Sequence, residues 1–190
     1  LMPGGDYYLA GGRSNRDYVS LVEAFRSLPA RLLIVCSQGN REELEGIALP
    51  DNVAVECDVP SEVFDQHVRG AKAGIIPLQH DTGSAGQSVG LALMRNAKCI
   101  LATRTGGLED YIEDGVSGYW IDDLGRDVPA LIRKLENDPG GAEKMGRASR
   151  QRYEARFSLT LAASAFENVL ATTCAAADLW EPELRDSIPG

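Results

Sequence analysis

The 190-residue chain is predicted to be a doubly wound α/β domain, with a parallel sheet of about six strands, helices on both faces and a helical C-terminal end. Three observations predict it. Short apolar runs alternate with longer amphipathic stretches, the order expected of repeated strand–helix units. Several of those runs are continuously apolar rather than alternating, as in strands covered on both faces. After about Asp127 no strand-like run occurs, and the rest reads as helix.

The strand-like runs are Tyr7–Ala10, Leu32–Cys36, Val53–Val55, Gly74–Leu78, Cys99–Ala102 and Tyr119–Ile121. After the first, Tyr18, Leu21, Val22 and Phe25 fall at i, i+3, i+4 and i+7, a single helical stripe. Ser14-x-x-Asp17 stands before that stripe as a capping box. Val63, Phe64, His67 and Val68 form a second stripe after Pro60-Ser61. Residues 128–137, 142–156 and 159–175 read as helices, the last with a stripe at Leu159, Ala162, Phe166 and Val169. The end of the chain carries two prolines and little apolar content, so the expected division is one domain over 1–175 and a loose tail over 176–190. No internal repeat or low-complexity segment interrupts it.

Composition is that of a globular protein, 44% hydrophobic and 25% charged. No apolar run approaches the roughly 20 residues that span a bilayer, so no transmembrane segment is expected. The start Leu1-Met2-Pro3 suggests a piece excised from something longer. A formal net charge of -9 argues against a broad nucleic-acid surface, which needs clustered Lys and Arg. It leaves room for a few arginines facing a small anion. Cys36, Cys57, Cys99 and Cys174 show no paired metal-ligand spacing. Three of them sit in or beside strand-like runs, and buried free thiols in a reducing, cytoplasmic compartment are expected.

In an open parallel sheet, ligands sit beyond the carboxyl ends of the strands. Two features fall there. Gly11-Gly12-Arg13-Ser14-Asn15-Arg16-Asp17 follows the first run and opens the first helix. Glycines allow close backbone approach, a helix start offers free N–H groups, and guanidinium groups suit phosphate oxygens. Alone, the same stretch also reads as an ordinary turn with solvated arginines. Gly83-Ser84-Ala85-Gly86 is a second such loop, leading into a helix that starts near Gln87 or Ser88. Alone, its glycines also read as packing residues. Two such turns converging on one crevice point to a diphosphate.

Thr105-Gly106-Gly107-Leu108-Glu109-Asp110, followed by Glu113-Asp114-Gly115, gathers acidic groups that serve either acid–base chemistry or the capping of a helix start and turn. His67 shares a face with Val63 and Phe64 and reads as structural; His80, in Gln79-His80-Asp81 before the glycine loop, reads either as structural or as a substrate contact. No Ser/His/Asp or Cys/His set and no metal cluster is apparent in the sequence.

From Tyr7 to about Leu170 the chain resembles the C-terminal, donor-binding, Rossmann-like half of a GT-B retaining glycosyltransferase, of the group 1 or family 4-like kind that includes sucrose and glycogen synthases. "GGRSNRDYVSLVEAF" is similar to the family's Gly-Arg, loop, Lys and helix ending Glu-Ala-Phe, which puts Arg13 at the Gly-Arg arginine and Arg16 at the lysine. The resemblance implies that these two cations hold and stabilise the donor diphosphate, and makes them the catalytic candidates, with Gly12 beside them. "NVAVECDVPSEVFDQHVRGAKAGIIPL" looks like the segment between the ligand loops, where the family's nucleobase packs near Asp58 and Val59. "KCILATRTGGLEDYIEDGVSGYWI" is similar to the closing stretch, with Asp110 at a position the family fills with Glu.

One departure stands out. The family has a Glu, seven residues, and a second Glu in this loop and helix. Ungapped alignment through Met94 and Lys98-Cys99-Ile100 puts Ser84 and Ala92 at those positions. Ser84 retains hydrogen-bonding capacity toward a sugar; the Ala92 side chain has none. The resemblance implies donor binding by Gly83, Ser84, Ala85, Gly86 and the backbone of Gln87, Ser88 and Val89. It implies a UDP- or GDP-sugar as substrate, no cofactor or metal, and an N-terminal acceptor-binding partner domain outside this chain.

The expected activity is therefore metal-independent hexosyl transfer in carbohydrate biosynthesis, with the isolated domain inactive alone. The expected address is the cytoplasm, or the membrane surface through the missing domain. The alternative is a non-catalytic nucleotide-binding or partner-docking module derived from such an enzyme. Epimerisation of a nucleotide sugar would need further His and carboxylate groups than His80 alone. A dinucleotide domain would need Gly-x-Gly-x-x-Gly after the first strand, where Gly11-Gly12-Arg13-Ser14-Asn15-Arg16 stands instead.

Overall fold

A computed structural model describes residues 5–79 and 85–177. The chain divides into two units, Leu1–Glu154 and Ala155–Gly190. The first holds a six-stranded, all-parallel sheet in the order β3-β2-β1-β4-β5-β6. Its strands are β1 (Tyr8–Gly11), β2 (Leu32–Cys36), β3 (Val53–Cys57), β4 (Ala73–Ile76), β5 (Cys99–Thr103) and β6 (Gly118–Ile121). The helices are α1 (Tyr18–Phe25), α2 (Gln38–Glu43), α3 (Ser61–Gly70), α4 (Gln87–Arg95), α5 (Leu124–Asn137), α6 (Pro139–Arg156) and, in the second unit, α7 (Leu159–Ala177). This is the doubly wound α/β architecture expected from the alternation of apolar runs.

The continuous apolar runs form strands because both sheet faces are covered. Tyr8, Ala10, Leu32, Ile34, Ile75 and Leu101 pack into one core with Leu21, Phe25, Val128 and Ile132 from α1 and α5. The residues between them, among them Leu9, Leu33, Ile76 and Ile100, are buried as well, on the opposite face. A buried side chain of this kind contributes about 1.5–3 kcal/mol. At the sheet edge, the register of β2 and β3 sets Cys36 directly opposite Cys57.

Three local readings change. The Ser14 capping box does not form; Asp17 is itself the N-cap of α1, its carboxylate accepting from the Ser20 N–H at 2.9 Å. An Asp adjacent to the first helical residue reaches the orphan N–H groups directly, so the more distant Ser is not used. The polar segment Gln38–Glu43 forms the short helix α2, capped by Ser37. The acidic stretch after Thr105 forms consecutive turns rather than opening a helix. No helix among the described residues is long and apolar enough to cross a membrane.

Candidate functional site

The strand order reverses between β1 and β4: β1 leads to β2 and β3 on one side, β4 to β5 and β6 on the other. Their following loops therefore diverge and leave a crevice at the carboxyl ends, the place where such sheets bind ligands. The β1–α1 turn and the N-terminus of α4 line it together. Gly12, Arg13, Arg16, Gly86, Gln87 and Ser88 border a cavity of about 360 Å³.

The β1–α1 turn is organised by its own side chains. Gly12 has φ +129, and a Cβ there would lie 2.2 Å from Arg16 Nη2. The Arg16 guanidinium thus fills the space that the missing side chain leaves. Its Nε donates to the Gly11 carbonyl at 3.0 Å and its Nη1 to the Ser14 carbonyl. The Tyr18 hydroxyl donates to the Gly12 carbonyl at 2.8 Å. Arg16 is only 3% exposed, and burial pulls its pKa down, yet a guanidinium stays charged. This buried cation borders the crevice, and among the described residues no carboxylate forms an ion pair with it.

The turn is also tied to the segment after β4. The Asp17 N–H donates to the Pro77 carbonyl at 2.9 Å, and the Gln79 N–H to the Asn15 carbonyl at 3.1 Å. An antiparallel bridge pairs Arg16 with Leu78 between them.

α4 begins differently. Its N-cap is Gly86 at φ +91, which supplies no side-chain acceptor, and no acidic residue occupies its first turn. The backbone angle favours glycine there, and a Cβ on Gly86 would also sit tightly against Ile76 Cγ2, at 3.0 Å. Gln87, Ser88 and Val89, the first residues of this nine-residue helix, line the crevice. The positive end of the helix dipole favours an anion there.

Beside this cavity, and sharing Gly12 and Arg13 with it, lies a second of about 250 Å³ bounded by Cys36, Asp58, Val59 and Phe64. Asp58 has φ +48, and its N–H donates to the Cys36 carbonyl at 2.9 Å. Its carboxylate accepts from the Gln38 N–H at 3.1 Å and pairs with Arg13 at 3.3 Å. Both partners of that ion pair are largely exposed, so the pair itself contributes little.

The structure thus brings Gly12, Arg13, Arg16, Asp58, Val59 and Ala85–Val89 around two adjoining cavities. His80, Gly83 and Ser84 lie outside the described residues. Ala92 is half-buried further along α4 and borders neither cavity. Ser61, Phe64, Val35 and Cys36 also line the smaller cavity, although the sequence marks Phe64 only as a stripe residue, Ser61 as preceding that stripe, and Val35 and Cys36 as part of a strand-like run. His67 is buried, its Nε2 2.9 Å from Glu56 Oε2. Among the described residues no group of three or more His, Cys, Asp or Glu is placed to hold a metal ion.

No family model matches the chain. Over 108 residues, 55% of the chain, it is 28% identical to a D-inositol 3-phosphate glycosyltransferase from Thermobifida fusca (strain YX), covering 24% of that protein. The structure resembles sucrose-phosphate synthase from Thermosynechococcus elongatus with a TM-score of 0.80, at 21% identity, covering 92% of this chain and 47% of that one. It resembles Anabaena HepE in complex with UDP at 0.74, with 13% identity over 88% of this chain and 49% of HepE. The fold is that of a GT-B glycosyltransferase domain. The chain spans about half the length of these GT-B structures and a quarter of the curated relative. HepE has also been solved with UDP-glucose, and this GT-B domain resembles that complex with a TM-score of 0.71, at 12% identity over 88% of this chain and 49% of HepE.

Proposed function

We propose that this domain binds the donor of a glycosyl transfer, a nucleotide diphosphate sugar, whose hexose passes to an acceptor hydroxyl held by an N-terminal domain. The observation that carries the reading is the buried Arg16 cation, without an ion-paired carboxylate among the described residues, on the same crevice wall as Arg13 and the N-terminal turn of α4. An anion of two phosphates would complement that wall. Relatives of this fold whose structures contain UDP and UDP-glucose support the choice of ligand.

Arg16 and Arg13 would face the diphosphate as charge builds on it during departure, and the α4 dipole would add to their field. Such preorganised electrostatics contributes more to the transition state than to the ground state. These fixed positive groups would do the work without a metal. The smaller cavity, with Asp58, Val59 and Phe64, would take the nucleobase end. The acceptor side lies elsewhere, so the isolated chain binds nucleotide without turnover, in a cytoplasmic setting.

Ala92 favours a second reading, a nucleotide-binding or docking module that no longer transfers sugar. The carboxylate expected there from the family resemblance would provide a charged hydrogen bond of roughly 1.5–3 kcal/mol.

Calorimetric titration with UDP, GDP and ADP, repeated on Arg13→Ala and Arg16→Ala, tests the proposal. One nucleotide is expected to bind with a dissociation constant below about 1 mM. Both variants should weaken it, Arg16→Ala the more, with circular dichroism checking that each variant is folded. Absence of binding to the unmutated chain, or full affinity in both folded variants, would discard the donor-site reading.

A further inference from the structure

The C-terminal ends of β2 and β3 each carry a cysteine, and the parallel register makes Cys36 and Cys57 direct partners. Their side chains therefore leave the same face of the sheet, and the Sγ atoms lie 3.9 Å apart, both as free thiols. Neighbouring strands run about 4.8 Å apart, within the roughly 4.4–6.8 Å Cα separation that a disulfide requires. Rotation about the Cα–Cβ bonds can bring the sulfurs together. The end of β3 can yield a little as well, because β3 is an edge strand held on one side only.

The two thiols are not equivalent. Cys36 is buried, and burial, with Cys57 beside it, pushes its thiol pKa up to about 12. Cys57 is half-buried. Solvent reaches Cys57 more readily, which makes it the sulfur that meets an oxidant first. The third described cysteine, Cys99, has the Met145 thioether 3.7 Å from its sulfur and no thiol partner there.

The pair stands at the smaller cavity. Cys36 lines it, and Cys57 is joined directly to Asp58, whose carboxylate holds Arg13. Any yielding of the end of β3 as the sulfurs close moves the Cys57–Asp58 peptide, whose Asp58 N–H donates to the Cys36 carbonyl.

We propose that Cys36 and Cys57 are a reversible dithiol–disulfide modification site at the rim of the donor crevice, and that the disulfide form binds nucleotide more weakly. The second half rests on the donor-site reading above; the first does not. The oxidant is a low-molecular-weight disulfide. The Cys57 thiolate attacks one of its sulfurs, the small disulfide bond breaks, and one small thiolate leaves. Cys36 then gives its proton to solvent and attacks the Cys57 sulfur of the mixed disulfide, expelling the second small thiolate. Two protein thiols are oxidised while one small disulfide is reduced to two thiols.

The chain is equilibrated in glutathione buffers of increasing oxidised fraction, its remaining thiols are alkylated, and its peptides are mapped by mass spectrometry. The expected product is a peptide pair joined through Cys36 and Cys57, lost on treatment with dithiothreitol. Failure to find that link in fully oxidised glutathione, or a link through Cys99 or Cys174 instead, overturns the site. The UDP, GDP and ADP titrations are then run on reduced and oxidised protein. Affinity should fall at least about fivefold in the oxidised form, and Cys57→Ser should abolish any response to the oxidant. Equal affinities in the two forms overturn the second half. If no nucleotide binds the reduced chain either, the donor-site reading fails and the second half falls with it, while the peptide map still decides the first.

Discussion

The two turns that meet at the crevice are built on opposite plans. The β1–α1 turn satisfies itself: Asp17 caps the helix, Arg16 bonds the Gly11 and Ser14 carbonyls, and Tyr18 bonds Gly12. The turn into α4 ends on a glycine cap that supplies no side-chain acceptor. The contrast teaches that one crevice wall can combine two kinds of surface. One turn uses its polar groups to hold a charge in place, and the other presents a helix N-terminus whose glycine N-cap contributes no side chain.

Three substitutions break or sharpen that contrast, beyond the arginine variants. The largest effect is expected from Gly12→Ala, which puts a Cβ on backbone at φ +129 and 2.2 Å from Arg16 Nη2. Stability should fall by about 1–3 kcal/mol, and nucleotide affinity by at least about tenfold, or 1.4 kcal/mol. Thermal unfolding and calorimetry read the two; unchanged affinity would mean that the Arg16 arrangement is not what positions the ligand. A smaller effect is expected from Asp17→Ala, whose N-cap loss should cost about 1 kcal/mol of stability yet change affinity by less than about twofold. Parallel losses in both measurements would erase the distinction between cap and binding wall. The smallest is Asp58→Asn, which frees Arg13 from an exposed ion pair and should tighten binding by about 0.2–1 kcal/mol. Weaker binding would assign the Asp58 carboxylate to the ligand instead.

How far the sequence could be read follows from which features are local. Leu32–Cys36 and Cys99–Thr103 are buried at every position, and a continuous apolar run announces that directly. Helix α2 was hidden because Gln38–Glu43 has no apolar stripe and buries only Asn40. The two turns at the crevice were visible as glycines before helix starts, but the course of the Arg16 side chain was not. It depends on the backbone angle of Gly12 four residues earlier. Phe64 read as one more stripe residue of α3. Its ring reaches the cavity because Gly11 leaves room, a Cβ there falling 2.8 Å from Phe64 Cε2. The Cys36–Cys57 pair depends on strand register across 21 residues, which no local pattern specifies.

The short bridge between Arg16 and Leu78, flanked by the Asp17–Pro77 and Asn15–Gln79 hydrogen bonds, bears on how this domain can be re-engineered. It stitches two segments some sixty residues apart in sequence into one piece of ladder. Transplanting either segment alone from a homologue with a different backbone path would leave these main-chain bonds unmatched on the other. A chimaera designed to change the ligand would have to carry residues 12–17 and 77–79 across together, as a single cassette.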